Sequence, residues 1–412
     1  MCRPFKKPER YRFAAALVGG AHPADQPPRV PYWRLSGFYF FYFAALGALL
    51  PYWPVYLQSL GYDPGRIGVL MAILAGTKII APNIWSWIAD HSGRPLTVIR
   101  LGALCAVLSF CALYGNRDYT AMALLTGAYS FFWNAALPAF EAITLHHLQE
   151  QSERYSRVRL WGSIGFIGGV LAVGGLLSLF PIADLPYAIL AMLINMWLTS
   201  LLVPAGKAMA RQADTPRFWH LLWRGEVLAF LLVSFLVQVA HGPYYVFFTV
   251  YLKSHGYSDG AVGWMWSLGV IAEIVLFWCV THWLKRVALR QLLLSGLLLG
   301  SLRWWVIPLV VDQPWLLAAS QLLHAATFGI THVVAIHLMH RHFSGVHHNK
   351  GQALYNSTSF GAGGMLGSYL SGALWLSWGA TWEFQAAAWV SLSALLIAWF
   401  GVGRSAKKDR RR

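Results

Sequence analysis

The stretch Tyr56-Leu57-Gln58-Ser59-Leu60-Gly61-Tyr62 returns as Tyr251-Leu252-Lys253-Ser254-His255-Gly256-Tyr257. The offset is 195 residues, and it holds on either side: Gly47 maps to Gly242, Gly65 to Gly260 and Gly68 to Gly263. In each copy an apolar run ends near the Tyr-Leu pair, a glycine offers a turn, and a second apolar run starts a few residues later. Two such copies predict a parallel internal repeat, and a repeat constrains the whole fold. A short match could reflect a shared loop type; agreement with the span count and charge pattern argues against that.

The surrounding composition identifies the solvent. Of 412 residues, 57% are hydrophobic and 12% charged, with mean hydropathy +0.49. Soluble domains carry about 25% charged residues. These values exclude a disordered chain, a coiled coil or a disulfide scaffold, and they argue against a soluble multidomain enzyme. A polytopic membrane protein remains. The four cysteines show no paired spacing, and three lie in apolar runs, where a thiol acts as a small hydrophobe.

Crossing the hydrocarbon core takes about 20 mainly apolar residues. Runs of that kind fall at 36–57, 67–88, 96–115, 119–146, 158–180, 185–203, 227–252, 261–284, 291–311, 315–339, 352–376 and 382–402. All must be helical, because an open sheet leaves its backbone unsatisfied in lipid. The expected fold is therefore an all-α polytopic membrane protein with twelve transmembrane helices. The repeat divides them into halves at 32–203 and 225–402, joined by a basic linker at 204–224 (Lys207, Arg211, Arg217, Arg224). The expected cytoplasmic tails are 1–31 and 403–412. Residues 13–20 vaguely resemble a signal-peptide core, but the run is near the minimum length for one and holds two glycines, which favours a basic cytoplasmic tail.

The net charge of +16 then becomes legible. With both termini cytoplasmic, 27 of the 32 Lys and Arg fall in inner segments. Arg66, Arg117 and Lys253 fall outside, and Lys78 and Arg303 in mid-membrane. That asymmetry is the positive-inside signature. Basic residues spread over seven segments act as topology signals, so no nucleic-acid partner is expected.

Charges within spans are costly and point to function. Lys78, Glu141, Glu273 and Arg303 qualify, with Arg159 at the rim of the fifth span and His324 within the tenth. Two carboxylates against Lys78 and Arg303 are formally neutral, so mutual pairing is expected. Lys78 and Glu273 are repeat equivalents. The competing reading is static salt bridges that only pack the bundle. Ser163, His241 and Tyr355 are further candidates for lining a cavity, although membrane hydrogen bonds between helices could explain them equally. His340, His342, His347 and His348 match no metal spacing. No metal or cofactor is expected.

Two parallel six-helix halves are the layout of major facilitator transporters. Asp90-His91-Ser92-Gly93-Arg94 resembles that superfamily's G-x-x-x-D-x-x-G-R signature, with Ser86 in place of the first glycine. The resemblance assigns Asp90, Gly93 and Arg94 to a cytoplasmic gate. Asn134 to Ala142 and Arg157 to Ser163 resemble the helix 4–5 region of the lactose permease family. That likeness gives Glu141 and Arg159 the substrate-orienting role and Arg303 and His324 the proton-coupling one. Over 31–402 the chain is more similar to the phenylpropionate-permease branch, the MFS_1-like family. It shares Arg157 to Ile164, Trp266 to Glu273, Arg303-Trp304 and Leu323 to Phe328.

The lactose permease family places a proton-accepting Glu three residues after the helix 10 His, where this chain has Thr327, and a basic residue three before it, where this chain has Gln321. A proton carrier needs a group that titrates near neutrality. Glu273 is the substitute, with Arg303 favouring its deprotonation and His324 bridging the two. The resulting expectation is a monomeric, proton-coupled symporter in the cell (inner) membrane. It would carry a small solute, an aromatic carboxylate such as phenylpropionate ahead of a sugar or nucleoside. Lys78, Glu141, Arg159, Ser163, His241 and Tyr355 would contact substrate. No ATP-binding G-x-x-x-x-G-K-[ST] occurs. A polytopic membrane enzyme would need a catalytic constellation on one membrane face, and the sequence offers none.

Overall fold

A computed structural model describes residues 30–204 and 218–403. Of the expected tails and linker, residues 1–29, 205–217 and 404–412 lie outside the described residues. All regular structure among the described residues is helical. The long helices are α1 (Tyr32–Ser59), α2 (Pro64–Ser92), α3 (Pro95–Leu113), α4 (Tyr119–Leu148), α5 (Tyr155–Leu177) and α6 (Leu185–Leu202). They continue with α7 (Gly225–Ser254), α8 (Asp259–Trp283), α9 (Leu289–Val310), α10 (Pro314–His342) and α12 (Ala380–Gly401). Between the last two, α11 runs from His348–Asn356 through a π-helical stretch, Ser357–Gly363, into Gly364–Trp378. A second π-helical stretch, Ala325–Ile330, interrupts α10. α4 and α5 carry no such interruption.

Ten of these helices are long and apolar enough to cross a membrane. α4 and α11 fall outside that set; they are rich in aromatic, small and hydroxyl residues. Several helices overrun the expected spans; α2 and α8 begin at polar side-chain caps. The repeat shows this at atomic detail. Gly61 and Gly256 adopt φ of +87° and +80°, a left-handed conformation that favours glycine. Tyr62 N donates to Leu57 O at 3.3 Å, and Tyr257 N to Leu252 O at 3.1 Å. Asp63 then accepts from Arg66 N at 2.9 Å to start α2, and its repeat equivalent Ser258 accepts from Ala261 N at 3.3 Å to start α8.

α1 packs on α5 and α6, and α3 and α2 on α4; α9 and α7 pack on α12, and α7 on α11. Repeat glycines allow the closest approaches: a side chain at Gly47 would run into the Phe166 carbonyl of α5, and one at Gly242 into the Gly367 carbonyl of α11. The two sets of helices meet along two seams, α2 on α11 and α5 on α8, with α1 touching α7. Gly68 and Gly372 abut backbone to backbone in the first seam. Tyr52 closes the second, its hydroxyl donating to Val170 O at 3.1 Å beside Asp259 O. These approaches lie toward the end of the bundle that carries the Gly61 and Gly256 turns. An arginine on α3 and another on α9 brace the opposite end. Arg100 donates to the carbonyls of Ser200, Leu201 and Val203 at the end of α6, and Arg290 to Trp399 O on α12. Each satisfies carbonyls left free at a helix C-terminus.

Candidate functional site

Two groups of polar side chains lie inside the bundle. The first belongs to α4 and α5. Glu141 and Arg159 approach to 3.9 Å, with 28% and 32% of their side chains exposed. The Arg159 guanidinium lies over the Phe43 ring at 4.1 Å and near the Tyr39 ring at 5.8 Å, both on α1. Gly162 makes room for it, since a Cβ there would strike the guanidinium and Phe43. Tyr39 donates to Thr144 Oγ1 at 3.2 Å, which fixes its ring beside Arg159. Tyr155, one turn before Arg159, lies beside Glu141. Ser163, one turn after, is half-buried.

The second group belongs to α7 to α10 and lies deeper, with only Glu273 partly exposed. Arg303 has no exposed surface. Its guanidinium donates to His324 Nδ1 at 3.0 Å, Thr327 Oγ1 at 3.3 Å and Gln321 Oε1 at 3.0 Å. It also faces the Tyr244 and Trp304 rings at 4.4 and 4.7 Å. Because Nδ1 of His324 accepts from Arg303, its proton belongs on Nε2, the nitrogen 3.9 Å from Glu273 Oε2. At that distance the contact is not a hydrogen bond, and a small side-chain shift would make it one. His324 thus stands between Arg303 and Glu273. His241, buried at the break in α7, bonds Val237 O through Nδ1 and packs against Trp304 and His324. Its Nε2 has no partner.

The expected four-charge pairing is not the one found. Arg303 bonds no carboxylate, and half-buried Lys78 forms no ion pair among the described residues. The pairs are Glu141 with Arg159 and Glu273 with His324. Thr327 and Gln321, where the lactose permease family has charged residues, instead act as neutral ligands of Arg303.

His332 escaped sequence reading. It lies one turn beyond Phe328 on α10, stacks on that ring at 5.6 Å, and contacts the Tyr355 hydroxyl at 3.3 Å. Arg159 is within electrostatic reach of both His332 and Glu273. Glu273 and His332 thus lie near Arg159. Phe230, Gln238, Phe328, His332 and Tyr355 line a cleft among α7, α10 and α11. The i, i+4 spacing of His324, Phe328 and His332 was the available signal: it places all three on one face of a helix.

At the far end of α2, Asp90, Gly93 and Arg94 are exposed. Gly93 caps the helix with φ of +63°, and neither Asp90 nor Arg94 has an ion-pair partner among the described residues. The gate motif is unclasped at the end opposite the closed seams.

Membrane-crossing helices in two contacting sets, with polar clusters inside the bundle, define a multi-pass membrane transporter of the major facilitator type, sited in the cell (inner) membrane. Residues 32–386 match the model of the MFS_1 like family, and the chain belongs to that family. It is 30% identical over 377 residues to a "Probable 3-phenylpropionic acid transporter" of Escherichia coli (strain K12), covering 89% of this chain and 96% of that protein. It is 27% identical over 359 residues to a maltose permease of Geobacillus stearothermophilus, covering 84% and 89%. The crystal structure of the nucleoside transporter NupG superposes with a TM-score of 0.76 at 18% identity, covering 89% of this chain and 97% of that one. The POT family transporter PepTSo gives 0.71 at 10%, covering 91% and 97%. At such identity the last two are likenesses of fold.

Proposed function

We propose that this protein is a proton-coupled symporter that carries a small aromatic carboxylate by alternating access. The observation carrying the reading is the partly exposed Arg159, opposed by Glu141 and backed by aromatic rings. A guanidinium offers planar, paired donors that match a carboxylate, and the rings of Phe43, Tyr39, Phe328 and Tyr355 suit an aryl group. Lys78, Ser163 and His241 add polar contacts along the path, and His332 meets substrate from the opposite side. Glu273 binds the proton, His324 links it to Arg303, and Asp90, Gly93 and Arg94 clasp the cytoplasmic gate in the other conformer. The name of the Escherichia coli relative supports the substrate class. Energy comes from the proton gradient without a bound cofactor, and the carrier works as a monomer.

In this reading α4 and α11 complete twelve crossings. Halves at 32–203 and 225–402 rock about the site, and the tails at 1–31 and 403–412 and the 204–224 linker face the cytoplasm.

A sugar or nucleoside is the second reading, since Glu141 and Arg159 together can grip hydroxyls and maltose permease is among the relatives. Uptake into proteoliposomes under an imposed pH gradient separates the two. Phenylpropionate should accumulate, while maltose and uridine should not; the reverse result replaces the substrate class. Glu273→Gln should abolish gradient-driven accumulation yet leave downhill exchange. Accumulation at the parent rate in that variant would remove Glu273 from coupling.

A further inference from the structure

Glu383 takes no part in either polar group. It lies in the first turn of α12, just past Gly379, whose φ of +84° turns the chain out of α11. It has no exposed surface, and neither carboxyl oxygen has a hydrogen-bond partner. Ser371 on α11 lies beside it, its own Oγ also buried and unpartnered. That hydroxyl in turn abuts Gly242 on α7, and the residue after it, Gly372, meets Gly68 of α2 across the closed seam. A contiguous line of contacts thus runs from Glu383 to the seam.

No charge among the described residues compensates Glu383. On α12 it is the sole ionisable side chain, and on α11 between Gly364 and Trp378 there is only Tyr369, itself 52% exposed. From α9, Arg303 directs its guanidinium to His324, Thr327 and Gln321. From α7, His241 and Tyr244 pack around His324, Tyr251 packs on Phe384 with its hydroxyl beside Thr381, and Lys253 pairs with Asp259 at 2.8 Å. The N-terminus of α12 does not hold it as an anion either, since no side-chain cap bond is made and the Glu383 N–H is bonded to Gly379 O. An isolated carboxylate sealed from water costs far more than it gains, and such a group takes a proton instead.

We propose that Glu383 is a second proton-binding site, and that its neutral, protonated form holds closed the end of the bundle bearing the Gly61 and Gly256 turns. The neutral acid donates to Ser371 Oγ and needs no water. The anion needs water, which can arrive only if α11 moves off α7 and α12, and that movement carries Gly372 away from Gly68. Protonation therefore favours the closed conformer and deprotonation the open one. A single linked proton shifts such an equilibrium by at most about tenfold per pH unit.

The test reads conformation and uses no substrate, so it stands apart from any failure of the uptake assay. In a background with the four cysteines changed to serine, Arg66→Cys on α2 and Trp378→Cys at the end of α11 carry spin labels, in lipid nanodiscs. The distance distribution should be short at acid pH and gain a longer population as pH rises. Glu383→Gln, with its permanently neutral amide, should stay short throughout, and Glu273→Gln should follow the parent. A Glu383→Gln curve that tracks the parent, or a parent without pH response, overturns the proposal. If Glu383→Gln fails to assemble, infrared spectra decide. The otherwise unmodified protein at neutral pH should show a protonated carboxyl band that shifts in Ser371→Ala; a band unmoved by that change also overturns it.

Discussion

The two halves of the repeat carry an arginine apiece inside the bundle, and the two arginines are held in opposite ways. Arg159 is one-third exposed, rests on an aromatic face and meets its carboxylate only loosely at 3.9 Å. Arg303 is fully buried, with three side-chain acceptors and two rings around it. A loosely paired, water-reached cation is free to exchange its partner for a ligand. A buried one bonded to three side chains cannot do so without leaving those acceptors unpaired. The same residue type is thus loosely held in one half and firmly held in the other.

The sharpest way to break this comparison is Arg159→Ala. Uptake should fall by about 100-fold or more, the scale of a lost charge-assisted contact, while thermal unfolding followed by thiol-reactive dye stays near the parent. Equal loss of stability would show Arg159 to be structural. Arg303→Ala should do the converse, lowering stability on the order of 3 kcal/mol by stranding His324, Gln321 and Thr327. A parental unfolding temperature there would undo the claim that it fastens α9 to α10. The smallest effect is expected from Gly162→Ala, which crowds the Arg159 guanidinium and Phe43 without removing any charge. Binding measured by calorimetry should weaken about tenfold, and unchanged affinity would mean that the present pose of Arg159 is not the binding pose.

Legibility in the sequence followed the density of signal. The repeat was readable because a helix end, a left-handed glycine and an N-cap each require particular residues, so Gly61, Asp63, Gly256 and Ser258 kept their places. Glu141, Arg159, Glu273 and Arg303 were readable because a charge in an apolar run has few innocent explanations. Partner choice was not, because it depends on helix rotation: Lys78 and Arg303 looked like mates for the carboxylates, yet Arg159 and His324 approach those, and Arg303 bonds His324 and neutral Gln321 and Thr327. His332 was hidden among 15 histidines, where type alone separates no functional ring from a packing one. Glu383 sits only two residues inside the expected twelfth span, where nothing local signals that a carboxyl will be wholly enclosed.

The two π-helical stretches have a bearing on descent. Each lets a helix absorb a residue without ending, and such wide turns recur at functional sites. Here they occur in α10 and α11 but not in their repeat counterparts α4 and α5. A duplicated half can therefore diverge from its twin by insertion, rotating everything downstream about the helix axis by most of a third of a turn. One such step can turn a new set of side chains, His332 among them, toward the neighbouring helices. It also breaks the constant 195-residue offset beyond that point.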